Sequence, residues 1–382
     1  MIVKKSIQLF KEKDYCLVKI PSIIFDGEDQ VKSYKLNIDE FKQEINKTYS
    51  LDEKMISSDS LAIDDYHIFY NVEKIEIKII KSLSEFVTVI TEEITNKVIS
   101  DETNHIYYRG HSDTMYKLEP SIYRKDNKNI LENESKIYND FLSSNPHFFN
   151  DCTTTLERLV KMQHHEIPTR LLDLTENPLI ALYFACASDK NKSKNGEVFK
   201  FEIPEKKFKY YDSDTVAVLS NLTKCDKNFD ISDKLDEFDF KGYPEIPEKE
   251  SQNDDYTDSI RKFNDSGSIK KLIHFIKDDR SYFVNEIDPH HLQNCTVPVK
   301  AKMSIERIVS QSGAFVLFGF KNKKSVKADI NVNYMGHKQK VIIIPLDCKE
   351  TILKELEMFN INQSTVFCDM DNTAKYFKNK YN

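Results

Sequence analysis

The chain has no tryptophan and only eight glycines among its 382 residues. Neither a Walker-type run nor GxGxxG occurs, so the common Gly-rich phosphate cradles are excluded. The seven cysteines are odd in number and form no CxxC pair. That excludes a disulfide framework or a zinc ribbon and suits a reducing compartment. No run approaches the roughly 20 apolar residues that span a bilayer. The opening MIVKKSIQLFKEKDY has no apolar stretch of signal-peptide length. The expectation is a cytoplasmic protein with no membrane partner. A net charge of −7 weighs against broad, salt-driven binding to a nucleic-acid backbone, leaving room only for a local basic patch.

Arginine is scarce too, and its distribution is informative. Of 55 basic residues seven are arginine, and four of these, Arg109, Arg124, Arg158 and Arg170, fall within 62 residues. Lysine suffices as a solvated charge, whereas arginine suits places where a planar fork grips a carboxylate or phosphate at two points. The same window holds His111, His164 and His165 beside Asp113 and Asp173. It contains the segments YYRGHSD and QHHEIPTRLLDLTENPLIALYFAC.

Around this window, residues 1 to 80 read as a small β-leaning domain, an accessory or docking unit through which a protein partner would bind. Strand patterning is clearest in KIEIKII. Residues 82 to 382 mix strands and helices, giving an α+β class with a central sheet and flanking helices. Ser82 with Glu85 and Thr154 with Glu157 have capping-box spacing. Asn177–Pro178 opens a helix that is apolar all round and therefore buried. Ile130 to Leu142 reads as one helix. Val198 to Ile203, Gly313 to Phe320 and Val341 to Pro345 read as strands, and Lys349 to Phe359 and Asn372 to Tyr381 as helices. The polar, acidic stretch from about 225 to 267 reads as a mobile insertion or long surface excursion.

Each candidate site residue has two readings. Arg109, at the end of a buried strand before Gly110, either clamps a phosphate or pairs with an acid such as Asp113. Tyr107 and Tyr108 alternate faces, one toward the core and one toward a pocket. Tyr116 and Tyr123 offer stacking faces or fill the core. Gln163, His164 and His165 close a helix, where a histidine either interacts with the last carbonyls or acts as general acid or base. No HExxH spacing is present and no metal is expected. Arg170 and Asp173 are close enough to brace each other. Alternatively, Arg170 and the helix start at Asn177 hold an anion between them. Gln311 precedes the most strand-like run, facing a cleft or capping the strand, with Glu306 and Arg307 on a short helix just upstream.

Four ordered segments, YRGHSDTMYKLEPSIYR, QHHEIPTRLLDLTENPLIALYFAC, QSGAFVLFG and ILKELEMFNINQSTVFCDMDNTAKYF, resemble the FRG domain family over about Ser82 to Tyr381. The aromatic-Arg-Gly motif is Tyr108–Arg109–Gly110. The sequence departs from the family pattern at Glu166, where glycine is usual, at Leu174, where tryptophan is usual, and at Phe367–Cys368–Asp369–Met370–Asp371. The motif order also bears a distant likeness to ADP-ribosyltransferases, with Arg109 as the first element and Gln311 where a late acid belongs. The resemblance implies an effector-like protein of bacterial defence or a toxin-like system. Its ligand would be a nucleotide or dinucleotide, with NAD as a candidate substrate whose ADP-ribose is transferred or hydrolysed. Arg109 would then hold the pyrophosphate, His164 or His165 would contact ribose or carry a proton, and Gln311 would position ribose. Tyr108, Gly110, His111, Tyr123, Arg170 and Asp173 would complete the ligand site. A non-catalytic ligand- or protein-binding module is the alternative from a different class, and a nuclease a third.

Overall fold

The computed structural model describes residues 8–12, 15–19, 33–37, 66–70, 74–96, 104–114, 116–187, 194–240, 254–283, 286–300, 302, 309–321, 323–331, 334 and 339–381. Twelve strands are described. They are β1 (Gln8–Glu12), β2 (Tyr15–Lys19), β3 (Ser33–Asn37), β4 (Tyr66–Tyr70), β5 (Lys74–Ile79) and β6 (Asn104–His111), then β7 (Leu171–Thr175), β8 (Gly196–Pro204), β9 (Lys209–Tyr210), β10 (Thr296–Lys300), β11 (Gly313–Phe318) and β12 (Gln339–Ile344). The α-helices are α1 (Leu83–Asn96), α2 (Lys128–Glu132), α3 (Glu134–Ser144), α4 (Thr155–His164), α5 (Pro178–Cys186) and α6 (Asp214–Asn221), followed by α7 (Ser232–Glu237), α8 (Asp254–Asn264), α9 (Gly267–Asp279), α10 (Lys349–Met358), α11 (Gln363–Phe367) and α12 (Met370–Tyr381).

Nine strands form one mixed sheet in the order β3-β5-β12-β8-β6-β7-β11-β10-β9, and β1-β2-β4 form a smaller one. The β5–β12 and β9–β10 pairs are parallel. The expected α+β class holds. The unit of residues 1 to 80 supplies strands to both sheets, because β3 and β5 extend the large one.

Local sequence signals account for most of these elements. Glu85 N–H bonds the Ser82 hydroxyl at 3.3 Å, and Phe86, Val89 and Ile90 are buried at helical spacing. Thr154 and Glu157 complete a reciprocal capping box on α4. The Asn177 carboxamide accepts from Leu179 N–H, and Pro178 occupies the first turn of α5. The helix expected over Ile130 to Leu142 is broken at Asn133, whose φ of −105° and ψ of 17° leave the helical region. The break lets Glu134 start a second helix with its carboxylate turned inward.

The acidic stretch differs from expectation in its described parts. Cys225, Phe229, Ile231, Leu235, Phe238, Ile260 and Phe263 are buried, because apolar residues hidden between the acids supply one packed face for α7 and α8. The expected helix at Glu306 and Arg307 lies outside the described residues.

Apolar packing sorts onto the two faces of the sheet. One face carries two clusters. The first joins Leu171, Phe315 and Leu317 to α4, α6 and α9, and the second joins Tyr108, Val198 and Ile342 to α1, α5 and α10. The opposite face carries Tyr107, Leu172, Leu174, Phe199, Phe201 and Val316. This assignment follows the register, since Phe315 stands opposite Asp173 and Tyr108 opposite Thr175, and alternate residues share a face.

Candidate functional site

Asp173 is where the central sheet opens to solvent. It lies on β7, an interior strand between β6 and β11. On its own face of the strand, Leu171 and Thr175 are buried. The Asp173 side chain is nevertheless 52% exposed. It therefore occupies a gap between the two helical clusters that cover this face.

The strands also part here. β7 pairs with β11 along its whole length but with β6 at Tyr108↔Thr175 alone among the described residues. Beyond that pair the Arg109 side chain fills the opening. Its Nη1 donates to the Asp173 backbone oxygen at 2.7 Å and lies 3.6 Å from the Asp173 carboxylate. From the far side, Gln163 Nε2 donates to Asp173 Oδ1 at 2.5 Å. The Thr169 hydroxyl in turn bonds the Gln163 carbonyl, fixing the amide's orientation. Gln163 is delivered by the last turn of α4, which ends in a Schellman motif. Ile167 N–H bonds the Met162 oxygen at 3.1 Å, and Glu166 N–H bonds the Gln163 oxygen at 3.0 Å.

Behind Arg109 lies a buried relay. Arg109 Nε donates to His111 Nε2 at 3.0 Å. That bond places the His111 proton on Nδ1, which faces Glu197 Oε1 at 3.1 Å. The His111 and Glu197 side chains are 2% and 0% exposed. Burial, then the Arg109 and Arg124 cations, hold His111 well below the usual histidine range, against a smaller upward pull from the Tyr116 backbone. Burial, then the Asp113 charge, pushes Glu197 well above the usual carboxylate range. The two sit at ion-pair distance, and both shifts disfavour the charged forms.

The other arginines of the window are braces. Arg170 is fully buried. Its Nε and Nη2 each donate to a Glu134 carboxylate oxygen at 2.7 Å, and its Nη1 bonds the Tyr123 hydroxyl. Lys324 lies 3.0 Å from the same carboxylate. Burial pushes Glu134 up, but Arg170 and Lys324 outweigh it, and the carboxyl ends below the usual range. The expected Arg170–Asp173 pairing does not form, because Asp173 and Arg170 leave opposite faces of the chain's turn into β7. Arg170 as an anion ligand with the Asn177 helix start is likewise corrected, since its fork is sealed in protein and bound bidentately. Arg158 holds Asp279 at 3.3 Å, and Arg124 stacks on Tyr116 at 4.8 Å.

The remaining expected residues fall as follows. Arg109 pairs with Asp173 and His111 rather than with Asp113, and it lies inside β6, which continues to His111. Gly110 serves close packing. A Cβ there would stand 1.9 Å from the Ala181 oxygen of α5, so the ligand role expected for Gly110 gives way to a close helix–strand approach. Tyr108 is buried in the cluster against α5. Tyr107 is buried too, with its hydroxyl donating to exposed Glu176 at 2.9 Å. Tyr123 belongs to the Arg170 network and donates to the Gly319 oxygen at 3.2 Å. His165 is exposed and packs edge-on against Phe148 and His164. His164 is half-buried at the end of α4, near Gln163. Gln311 donates to the Val366 carbonyl at 3.0 Å, and its own backbone oxygen accepts from Thr175. It thus ties α11 to the sheet, as a strand cap would.

Glu134, Lys324 and Glu197 were missing from the sequence expectation, and Gln163 was named there only for its place at the helix end. Glu197 alone left a signal, an acid on the strand face of GEVFKFEI that is otherwise Phe199, Phe201 and Ile203.

Among comparisons with known proteins, residues 104–194 match the family model of the FRG domain. No curated protein and no solved structure matches the chain, and nothing there supports the likeness to ADP-ribosyltransferases. No helix among the described residues is long and apolar enough to cross a membrane.

Proposed function

Because residues 104–194 carry an FRG domain, we propose that this domain recognises a nucleotide or dinucleotide in the gap at Asp173, with NAD the first candidate. The observation that carries this reading is the open Asp173 carboxylate, held by Gln163 and flanked by Arg109 on an interior strand. An oriented carboxylate is an acceptor suited to a pair of hydroxyls such as those of ribose. The adjacent guanidinium suits the phosphate next to that sugar. His164 stands beside Gln163 as a further polar contact, and His165 remains on the outer rim. The effector-like setting that the family resemblance implies belongs to the same proposal.

Binding without turnover is the form this geometry favours. In NAD hydrolysis water attacks the ribose C1′ while the C1′–nitrogen bond breaks and nicotinamide leaves, with a carboxylate stabilising the developing cation. Asp173, rather than Gln311, is the group that could meet that charge. Its hydrogen-bond and ion-pair partners are Gln163 and Arg109, neither of which accepts a proton from water.

Titration calorimetry with NAD, ADP-ribose and AMP tests the reading, paired with mass-spectrometric detection of released nicotinamide. Saturable binding that weakens in Arg109→Ala and Asp173→Asn, with no nicotinamide released, is the expected result. Release that disappears in Asp173→Asn would promote the domain to an NAD-cleaving enzyme. A folded wild type that binds none of the three would end the proposal.

A further inference from the structure

The His111–Glu197 pair raises a separate question, because two polar side chains sealed in a core are poor stabilisers. Apolar residues of similar volume would fill the space as well or better. Their placement follows from strand geometry. Arg109 and His111 are two apart on β6 and share a face, and Glu197 stands directly opposite His111 in the β6–β8 register. Glu197 therefore reaches His111 Nδ1, and His111 Nε2 reaches back along its own strand to Arg109 Nε. On its other edge the guanidinium is fixed by the Asp173 backbone oxygen. The arginine plane is thus held at both ends, and the face it offers the gap is set by the protein.

We propose that Glu197 and His111 are positioning residues, a hydrogen-bonded relay that locks the Arg109 guanidinium in the orientation from which it meets a phosphate-bearing ligand. What Arg109 grips rests on the nucleotide reading above, whereas the locking does not. A neutral His111 is central to this arrangement. A proton on Nε2 would turn the acceptor of the Arg109 bond into a second donor and break the lock. The charged and titratable groups around the relay are Arg109 and Arg124 beside His111, Asp113 beside Glu197, and Tyr116 edge-on to the His111 ring. The two arginines disfavour protonation of the ring, and burial does so more strongly.

The test uses the full-length, nitrogen-15-labelled chain and reads the His111 ring nitrogens and the Arg109 Nε–H by NMR. In the wild type His111 should hold the neutral Nδ1–H tautomer from about pH 7 down to about pH 5.5, through the range where an ordinary histidine titrates. The Arg109 Nε–H should be protected from exchange. Glu197→Gln keeps an acceptor oxygen and the same shape, so the protected signal should persist and NAD affinity should stay within about twofold. Glu197→Ala should lose the protection and weaken NAD binding by about tenfold, while leaving adenosine, which has no phosphate, unchanged. Glu197→Met, which keeps the volume, replaces the alanine variant if that one does not fold. A His111 that titrates in the ordinary range, or an Arg109 Nε–H still protected without the Glu197 acceptor, would overturn the proposal. If the wild type binds neither NAD nor adenosine, the nucleotide reading falls, and the NMR measurements decide the relay by themselves.

Discussion

Arg170 and Arg109 both come from an arginine-poor sequence, sit at the central strands and touch an acid, yet their surroundings differ in kind. Arg170 has no exposure, a bidentate carboxylate and a second cation on the same acid. Its partners come from α3, from Tyr123 and from the segment after β11, so its work is to close the core. Arg109 is largely covered too, with 13% of its side chain exposed. One edge is locked by the His111 relay and a backbone oxygen, while the acid beside it, Asp173, is 52% exposed. A buried ion pair with every polar atom of the fork occupied has nothing left for a ligand. The exposed Asp173 carboxylate beside an oriented arginine does. Arginine content alone could not have separated the two.

Breaking each arginine in turn should show the contrast most strongly. Arg170→Ala leaves Glu134 buried against Lys324 alone and should cost about 3–5 kcal/mol, read from urea denaturation. Arg109→Ala should remove far less stability and most of the affinity for NAD. The same pair gives the pH dependence. The Glu134 carboxyl is held below its ordinary range in the fold, so its contribution is complete above the unfolded carboxylate pKa and is lost as pH falls through the lowered native value. Wild-type stability should therefore drop in acid, which denaturation at a series of pH values measures.

Gly110→Ala should cost somewhat less, about 1–3 kcal/mol. The added Cβ would meet the Ala181 oxygen at 1.9 Å, and backbone rather than a flexible side chain must yield. Because Gly110 adjoins Arg109, calorimetry should also show weaker NAD binding. A variant that is destabilised but binds normally would mean that the packing of α5 and the orientation of Arg109 are independent. Asp173→Asn sharpens the comparison from the other side. The position is open, so melting should stay within about 0.5 kcal/mol of wild type, while NAD affinity falls about tenfold. Equal stability and affinity would show that the carboxylate charge is not what the gap supplies.

How much of this was legible in the sequence depends on the reach of each interaction. The caps at Thr154 and Asn177, the buried α5 and the strands at Val198, Gly313 and Val341 are set by neighbours within a few residues, and periodicity and capping chemistry disclose them. The arginine window is also the stretch that brings Arg109, Gln163 and Asp173 together. What each arginine does is decided across long separations, Arg170 with Glu134 and Lys324, and His111 with Glu197 from another strand. Local spacing favoured the wrong partner, Asp173, because three residues apart is close on a helix, whereas on β7 and its approach the side chains diverge. The buried face of the acidic stretch was masked by its charge, since apolar residues at intervals contribute little to average polarity.

The smallest expected effect concerns Glu166, at the end of α4. Its φ is 63°, left-handed backbone that glycine adopts without the steric penalty of a Cβ. It is the residue just past the cap of α4, the position at which helices ending this way favour glycine. Glu166 is thus a strained helix stop, and its backbone conformation accounts for a glycine at this position without invoking a ligand. Glu166→Gly should raise stability by about 0.5–1 kcal/mol. Glu166→Ala should give little, because alanine keeps the Cβ. Glu166→Lys separates charge from conformation. A cation at a helix C-terminus is favourable where an anion is not, by about 0.3–1 kcal/mol at low salt, so a gain that vanishes at high salt would be electrostatic. Glu166 is exposed, and Gln163, not Glu166, reaches Asp173. NAD affinity should therefore be the same in all three variants. A change in affinity in the glycine variant would show that strain at the end of α4 is transmitted through Gln163 to the carboxylate, and the open region would then be less independent of the helical layer than the contrast with Arg170 implies.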